Sequence, residues 1–352
     1  MCRNRCSALR NTNNGNKLNT KALIAVTVCA VLLICIVLTD LVQSRSEYSS
    51  TTIAMGTVVN FRLFGSDGEQ TELGLKENLT ETEEALLSHR KENSDIYRVN
   101  AASGSAVSVS KETVDFIATA LEVSKKCGGV FDITVGNLTK LWDFGGDNQR
   151  IPDEEEIAKA IETVSHSSVK ITDTTVITAN GQSLDLGAVG KGAACDRIRN
   201  YLSATRTDSA VISVGGSLLL YGNRSFNIGI VNPENDTESM GTLKLSDTCV
   251  STSGDYERFF VEGDKTYHHI LNARTGYPAE SNLSSVTVVC GSGTLSDALS
   301  TACFILGYND SLVLLKEFDA EAVFVFKDKT VRVTDGLEKK FTLTDESFVM
   351  AE

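Results

Sequence analysis

Asp297 and Thr301 stand four residues apart in SDALSTACFILG, a spacing that puts a carboxylate and a hydroxyl on one face of a helix. Hard oxygen donors of this kind suit Mg²⁺, which keeps waters and phosphate oxygens in its shell. Alone, the pair reads equally as an acidic helix start followed by a buried Thr. Residues 183–198 (SLDLGAVGKGAACDRI) place Gly187, Gly190 and Gly192 between a short strand ending at Asp185 and a helix. A glycine turn opens backbone N–H groups at a helix N-terminus, a setting that favours phosphate, and Lys191 adds positive charge. The segment is neither a Walker A loop nor a dinucleotide G-x-G-x-x-G fingerprint, and by itself also fits a plain turn with a surface lysine. In TYHHILNARTGYP, His268 and His269 are two of only four His in the chain. Imidazole serves as a general base near neutral pH or as a phosphate donor. Strand geometry alternates side chains, so at most one of the two rings faces a given site. Finally, FDITV reads as a strand before a helical turn, with the sole Trp142 and Phe144 after it. These apolar and aromatic groups line either a flat-ring pocket or simply the core.

The elements that must hold these residues follow from periodicity. Helical spacing covers residues 69–91, 111–126, 189–202, 295–306 and 312–318, and Pro152 opens a further helix with acids in its first turn. Strand patterns occur at 57–63, near Val169, Val176 and Leu184, and at 211–221, 227–231, 242–251, 322–326 and 330–334. Strands and helices are interspersed without a regular βαβ repeat, which predicts an α+β fold. The 352 residues, 41% hydrophobic with 3 Pro, hold enough apolar material for one large domain or two packed ones. Collagen-like, disulfide-scaffold and disordered classes are excluded. A formal charge of −13 argues against a nucleic-acid binder.

That charge is unevenly placed. Arg3, Arg5, Arg10, Lys17 and Lys21 form a basic head with no acid, after which 28 basic residues face 46 acidic ones, a net of −18. Between head and body, residues 22–39 are uncharged and apolar, just long enough to span a bilayer. No A-x-A-like site follows, and Cys29 and Cys35 lack the small preceding residue of a lipoprotein signal. The expectation is a cytoplasmic head at 1–21, a retained single-pass signal-anchor at 22–39, a linker at 40–53 and an extracytoplasmic body at 54–352 on the cell membrane. The body's cysteines (Cys127, Cys195, Cys249, Cys290, Cys303) are odd in number and widely spaced, so neither a metal nor a disulfide framework is expected.

MGT at Met55, FDITVGNL, LDLGAVGKG, STSGDYERFF from Ser251, HHILNARTGYP and SDALSTACFILG occur together in the order and spacing of the ApbE family. The whole body resembles that family, whose members are FAD:protein FMN transferases. The resemblance implies an ApbE-like fold of mixed antiparallel sheets with flanking helices. It implies cleavage of the FAD pyrophosphate and transfer of FMN to a Thr or Ser of an acceptor flavoprotein subunit, with release of AMP. An FAD site lined by Met55, Tyr97, Val130, Phe131, Asp132, Asp185, Lys191 and Leu271 would follow. So would a Mg²⁺ held by the Ala188 carbonyl, Asp297 and Thr301, with Ser300 as neighbour. Splitting a pyrophosphate needs charge neutralisation more than covalent help, which assigns catalytic roles to Lys191 and Asp297. His269 is expected to activate the acceptor hydroxyl. Two alternatives stay open: hydrolysis of FAD to FMN and AMP at the same site, and a flavin-binding or electron-transfer protein without catalysis. The body shows no clear Ser/Thr-Gly-Ala-Ser/Thr motif, so the acceptor is expected to be another protein.

Overall fold

The computed structural model describes residues 47–65 and 67–351. The basic head and the apolar run at 22–39 lie outside them. Among the described residues no helix is long and apolar enough to cross a membrane.

The chain begins with β1 (Glu47–Ala54) and β2 (Thr57–Phe64), then α1 (Gly68–Glu81), which continues into a π-helical turn, Thr82–Leu87. Next come α2 (Asp95–Ala101), β3 (Val107–Ser108), α3 (Lys111–Lys126), α4 (Gly136–Trp142), α5 (Glu154–Ile161), β4 (Lys170–Thr172), β5 (Thr175–Ile177) and α6 (Gly190–Ser203). The strands β6 (Ser209–Val214), β7 (Ser217–Tyr221), β8 (Phe226–Asn232), β9 (Asn235–Leu245), β10 (Thr248–Gly254), β11 (Phe259–Glu262), β12 (Lys265–His268) and β13 (Leu283–Cys290) follow. After α7 (Gly293–Leu306) and α8 (Tyr308–Glu317), the chain closes with β14 (Glu321–Phe326), β15 (Thr330–Val333), β16 (Phe341–Leu343) and β17 (Val349–Met350). Ser94 and Ser110 cap α2 and α3 by accepting from Tyr97 and Thr113 N–H, and Asp153 with Glu156 forms a capping box on α5.

A nine-stranded sheet, in the order β1-β2-β6-β7-β10-β13-β14-β15-β17, organises the body. Its ladders are antiparallel except β15–β17. At its centre the sheet is covered on both faces, so buried positions run on consecutively in β13 and β14 instead of alternating, with Ser and Thr among them in β10 and β13. In β14, Ala322 and Phe324 enter the core beneath α3 and α7, while Val323 and Val325 pack against the β16-β9-β8 sheet behind. A third cluster joins β2 and β6 to α1 and α6. The α7 helix is buried along most of its length, so its polar residues meet protein groups rather than water. The fold is the mixed α+β arrangement that the interspersed periodicities predict. All five body cysteines are buried and free, and burial pushes the thiols of Cys249 and Cys303 up to about 12, where they act as small hydrophobes.

Four local expectations are corrected. The expected linker at 40–53 is strand β1 from Glu47 onward; it is Ser/Thr-rich because one edge and one face meet solvent. Helix 69–91 ends at Leu87. FDITV forms turns rather than a strand, and Leu184 lies in a loop whose one sheet-like contact is the bridge Val135↔Ser183. The physical reason for the last is a side chain: Asn100 of α2 donates to Leu184 O (2.9 Å) and accepts from Leu184 N (2.7 Å), replacing a strand neighbour.

Candidate active site

Two helices meet at the site through glycines. A Cβ on Gly192 would run into the Gly293 carbonyl, and one on Gly293 into that of Gly192, so α6 and α7 cross with backbones in contact. Each helix then caps the other. Asp196 of α6 accepts from Thr294 N (2.8 Å), Gly293 N (2.6 Å), Thr294 Oγ1 (2.7 Å) and Ser292 Oγ (2.9 Å) at the start of α7. In return, Asp297 Oδ2 accepts from Gly192 N in the first turn of α6 (3.0 Å). Val189, the residue before α6, provides no side-chain cap, so the remaining first-turn N–H groups suit an external anion.

Around Asp297 the polar groups form a small hard-oxygen cluster. The residue is 2% exposed. Its Oδ1 makes only long contacts, to Ser217 Oγ (3.3 Å) and Lys191 Nζ (3.7 Å). One turn along α7, Ser300 and Thr301 hydroxyls reach the Asp297 carbonyl at 2.9 and 3.4 Å. Both also meet Ser253 Oγ of β10, at 2.8 and 3.1 Å. One open carboxylate oxygen beside hydroxyls fits a hard divalent cation that completes its shell with water and phosphate. Ala188 directly precedes Val189 at the entrance to α6.

His269 belongs to the same region and His268 does not. The backbone N of His269 donates to Arg258 O (3.0 Å) and its Nδ1 approaches the same carbonyl at 3.3 Å. A carbonyl only accepts, so Nδ1 carries the proton and Nε2 keeps the lone pair. Loss of hydration, reinforced by the cations Lys191 and Arg258, lowers the His269 pKa to about 4. The ring is therefore neutral at physiological pH. His268 is buried at the end of β12, with Nε2 on Ala279 O (3.1 Å) and its ring edge-on to Phe304. Glu257, one residue before Arg258, is within electrostatic reach of Lys191 and Asp297; loss of hydration raises its carboxyl pKa against the pull of Lys191.

The other expected residues divide. Met55 lies beside the start of α6, its Cε 3.9 Å from where a Gly190 Cβ would stand. Tyr97 is half-buried on α2, one turn before Asn100, which holds the loop leading to Asp185. Asp185 accepts from Gly187 N (2.8 Å) and Thr139 Oγ1 (2.7 Å). Leu271 packs with Leu138 and Trp142, within a nest of Phe144, Phe260, Tyr267 and Tyr277. Val130 and Phe131 are buried in the main core. Asp132 is occupied internally: its oxygens accept from Thr134 N (2.9 Å) and Oγ1 (2.7 Å), and from His166 N (2.8 Å) and Nδ1 (2.9 Å). It thus fixes its own loop rather than presenting a free carboxylate. Ser217, Ser253, Glu257 and Asp196 were not singled out from the sequence. The alternation of Ser251 and Ser253 toward one face of a buried strand is the signal that marks the β10 pair.

The ApbE family model matches residues 55–324. The chain belongs to the ApbE family. The FAD:protein FMN transferase of Treponema pallidum is 33% identical over 330 residues, covering 86% of this chain and 91% of the relative. That of Klebsiella pneumoniae is 30% identical over 307 residues, covering 86% and 96%. Among solved structures, the ApbE protein of Thermotoga maritima gives a TM-score of 0.75 at 30% identity, covering 83% of this chain and 98% of that one. The Pseudomonas stutzeri flavinyl transferase ApbE, in its apo form, gives 0.71 at 26%, covering 86% and 95%. The clasp of α6 and α7 thus belongs to an ApbE fold.

Proposed function

We infer that this chain is a FAD:protein FMN transferase that moves FMN from FAD to a target protein. The observation that carries the reading is the meeting of Lys191, Asp297 and His269 at the open N-terminus of α6. That arrangement gathers a cation, a buried carboxylate and a neutral imidazole where a phosphate would sit. The acceptor hydroxyl oxygen attacks the FMN phosphorus, the bond to the bridging oxygen breaks, and AMP leaves with that oxygen. The hydroxyl proton passes to His269 Nε2, whose tautomer Arg258 fixes. Lys191 and the first-turn N–H groups of α6 hold the pyrophosphate and offset its charge. Asp297, Thr301 and the Ala188 carbonyl would hold Mg²⁺, with Ser300 and Ser253 supporting Thr301. When bound, the ion neutralises charge on the phosphates during the displacement. Met55, Tyr97, Asp185 and Leu271 border the flavin nucleotide, and Val130, Phe131 and Asp132 shape its wall from behind.

The acceptor residue is a Thr or Ser of a flavoprotein subunit outside the cytoplasm, and residues 22–39 anchor the enzyme to the membrane there. Alkaline carbonate washing tests the anchor: the full chain stays with the membrane pellet, and its release would refute a spanning segment. The transfer itself is tested by AMP release. Release from FAD that requires the acceptor supports transfer, whereas equal release without it favours the hydrolase, which uses the same groups with water as nucleophile.

A further inference from the structure

The β1–β2 hairpin turns on Met55 and Gly56, both left-handed, with φ of 53° and 68°. A two-residue turn of this kind favours Asn or Asp at its first position, and Met there is strained. Such strain persists only where the surroundings impose it. Here Met55 N donates to Glu83 Oε2 at 2.8 Å. Glu83 lies in the π-helical turn Thr82–Leu87, an irregularity often found at functional sites. The same turn sends Leu87 toward α6, its Cδ1 3.5 Å from where a Gly190 Cβ would stand, beside the Met55 Cε. Its first residue is tied to α6 as well, because Arg197 Nη1 donates to Thr82 Oγ1 (3.1 Å).

We propose that Glu83 is a positioning residue that locks the strained Met55 turn over the N-terminus of α6, and so forms one wall of the FAD site. The inference rests on the transferase reading of that site. The carboxylate holds the backbone of Met55, the backbone directs the thioether, and the thioether with Leu87 bounds the space above Gly190.

The test uses the full chain and FAD, with binding read from flavin fluorescence without acceptor and turnover read with it. Glu83→Ala raises the Kd and KM for FAD about ten-fold, the scale of one lost hydrogen bond to a charged group, with kcat nearly unchanged. Glu83→Gln keeps an acceptor oxygen and stays within about three-fold of wild type. In a Met55→Ala background, Glu83→Ala adds less than about two-fold, because the two act as a unit. An unchanged Kd in a folded Glu83→Ala variant overturns the proposal, as does an undiminished loss in the Met55→Ala background. A wild-type chain that binds no FAD is a different result: it removes the transferase reading, and this inference with it.

Discussion

His269 differs from an ordinary histidine in the pH range over which it is neutral. A free imidazole titrates near 6.5, whereas this one is lowered to about 4 by loss of hydration and by Lys191 and Arg258. As the proposed base, His269 acts in its neutral form, so activity falls as pH drops through the lowered value. The acid limb of kcat/KM, which reports the enzyme before FAD binds, is therefore expected near pH 4, and an acid limb near 6.5 would contradict the assignment. Removing one cation with Lys191→Ala raises the His269 pKa, so the limb moves up, by less than the full interval because burial remains. The i, i+4 spacing of Asp297 and Thr301 was legible in the sequence, as was the rule that only one of two adjacent histidines faces the site. Residue spacing does not say which histidine that is, and only the family resemblance points to His269, since Arg258 O and Ala279 O are supplied by residues 11 positions away in each case. The internal role of Asp132 was hidden for the same reason, its partner His166 being 34 residues on.

The crossing of α6 and α7 depends on glycine at two positions, because each Cβ site is filled by the other helix's carbonyl. Gly192→Ala should destabilise the fold by about 3 kcal/mol, near the top of the overpacking range, and lower the thermal midpoint. Asp196→Ala strips four hydrogen bonds from the start of α7 and should cost about 2 kcal/mol, read by denaturant titration. Thermal or chemical stability unchanged in both variants would show that the clasp does not hold the site together. Long helices and apolar strands were legible at this scale because periodicity reports the core directly. The strand expected around Leu184 and ending at Asp185 is a loop because the Asn100 side chain, 84 positions away, satisfies Leu184 in place of a strand neighbour. The Ser/Thr-rich β1 looked like linker because an edge strand needs little apolar content.

At the scale of the molecule, a sheet buried on both faces at its centre carries the site on the helices of one side, while the β16-β9-β8 sheet closes the other. In an acidic body, Lys191 and Arg258 place positive charge beside His269 and Asp297, matched to an anionic dinucleotide rather than to a nucleic-acid surface. The same groups would serve transfer to a hydroxyl or to water, so the fate of the FMN phosphorus decides between them. The most direct measurement is the intact mass, under denaturing conditions, of a candidate acceptor incubated with the full chain, FAD and Mg²⁺. Transfer predicts an acceptor heavier by one FMN phosphoester, and no such adduct with Asp297→Ala. FMN and AMP free in solution beside an unmodified acceptor, or FAD left intact throughout, would contradict it.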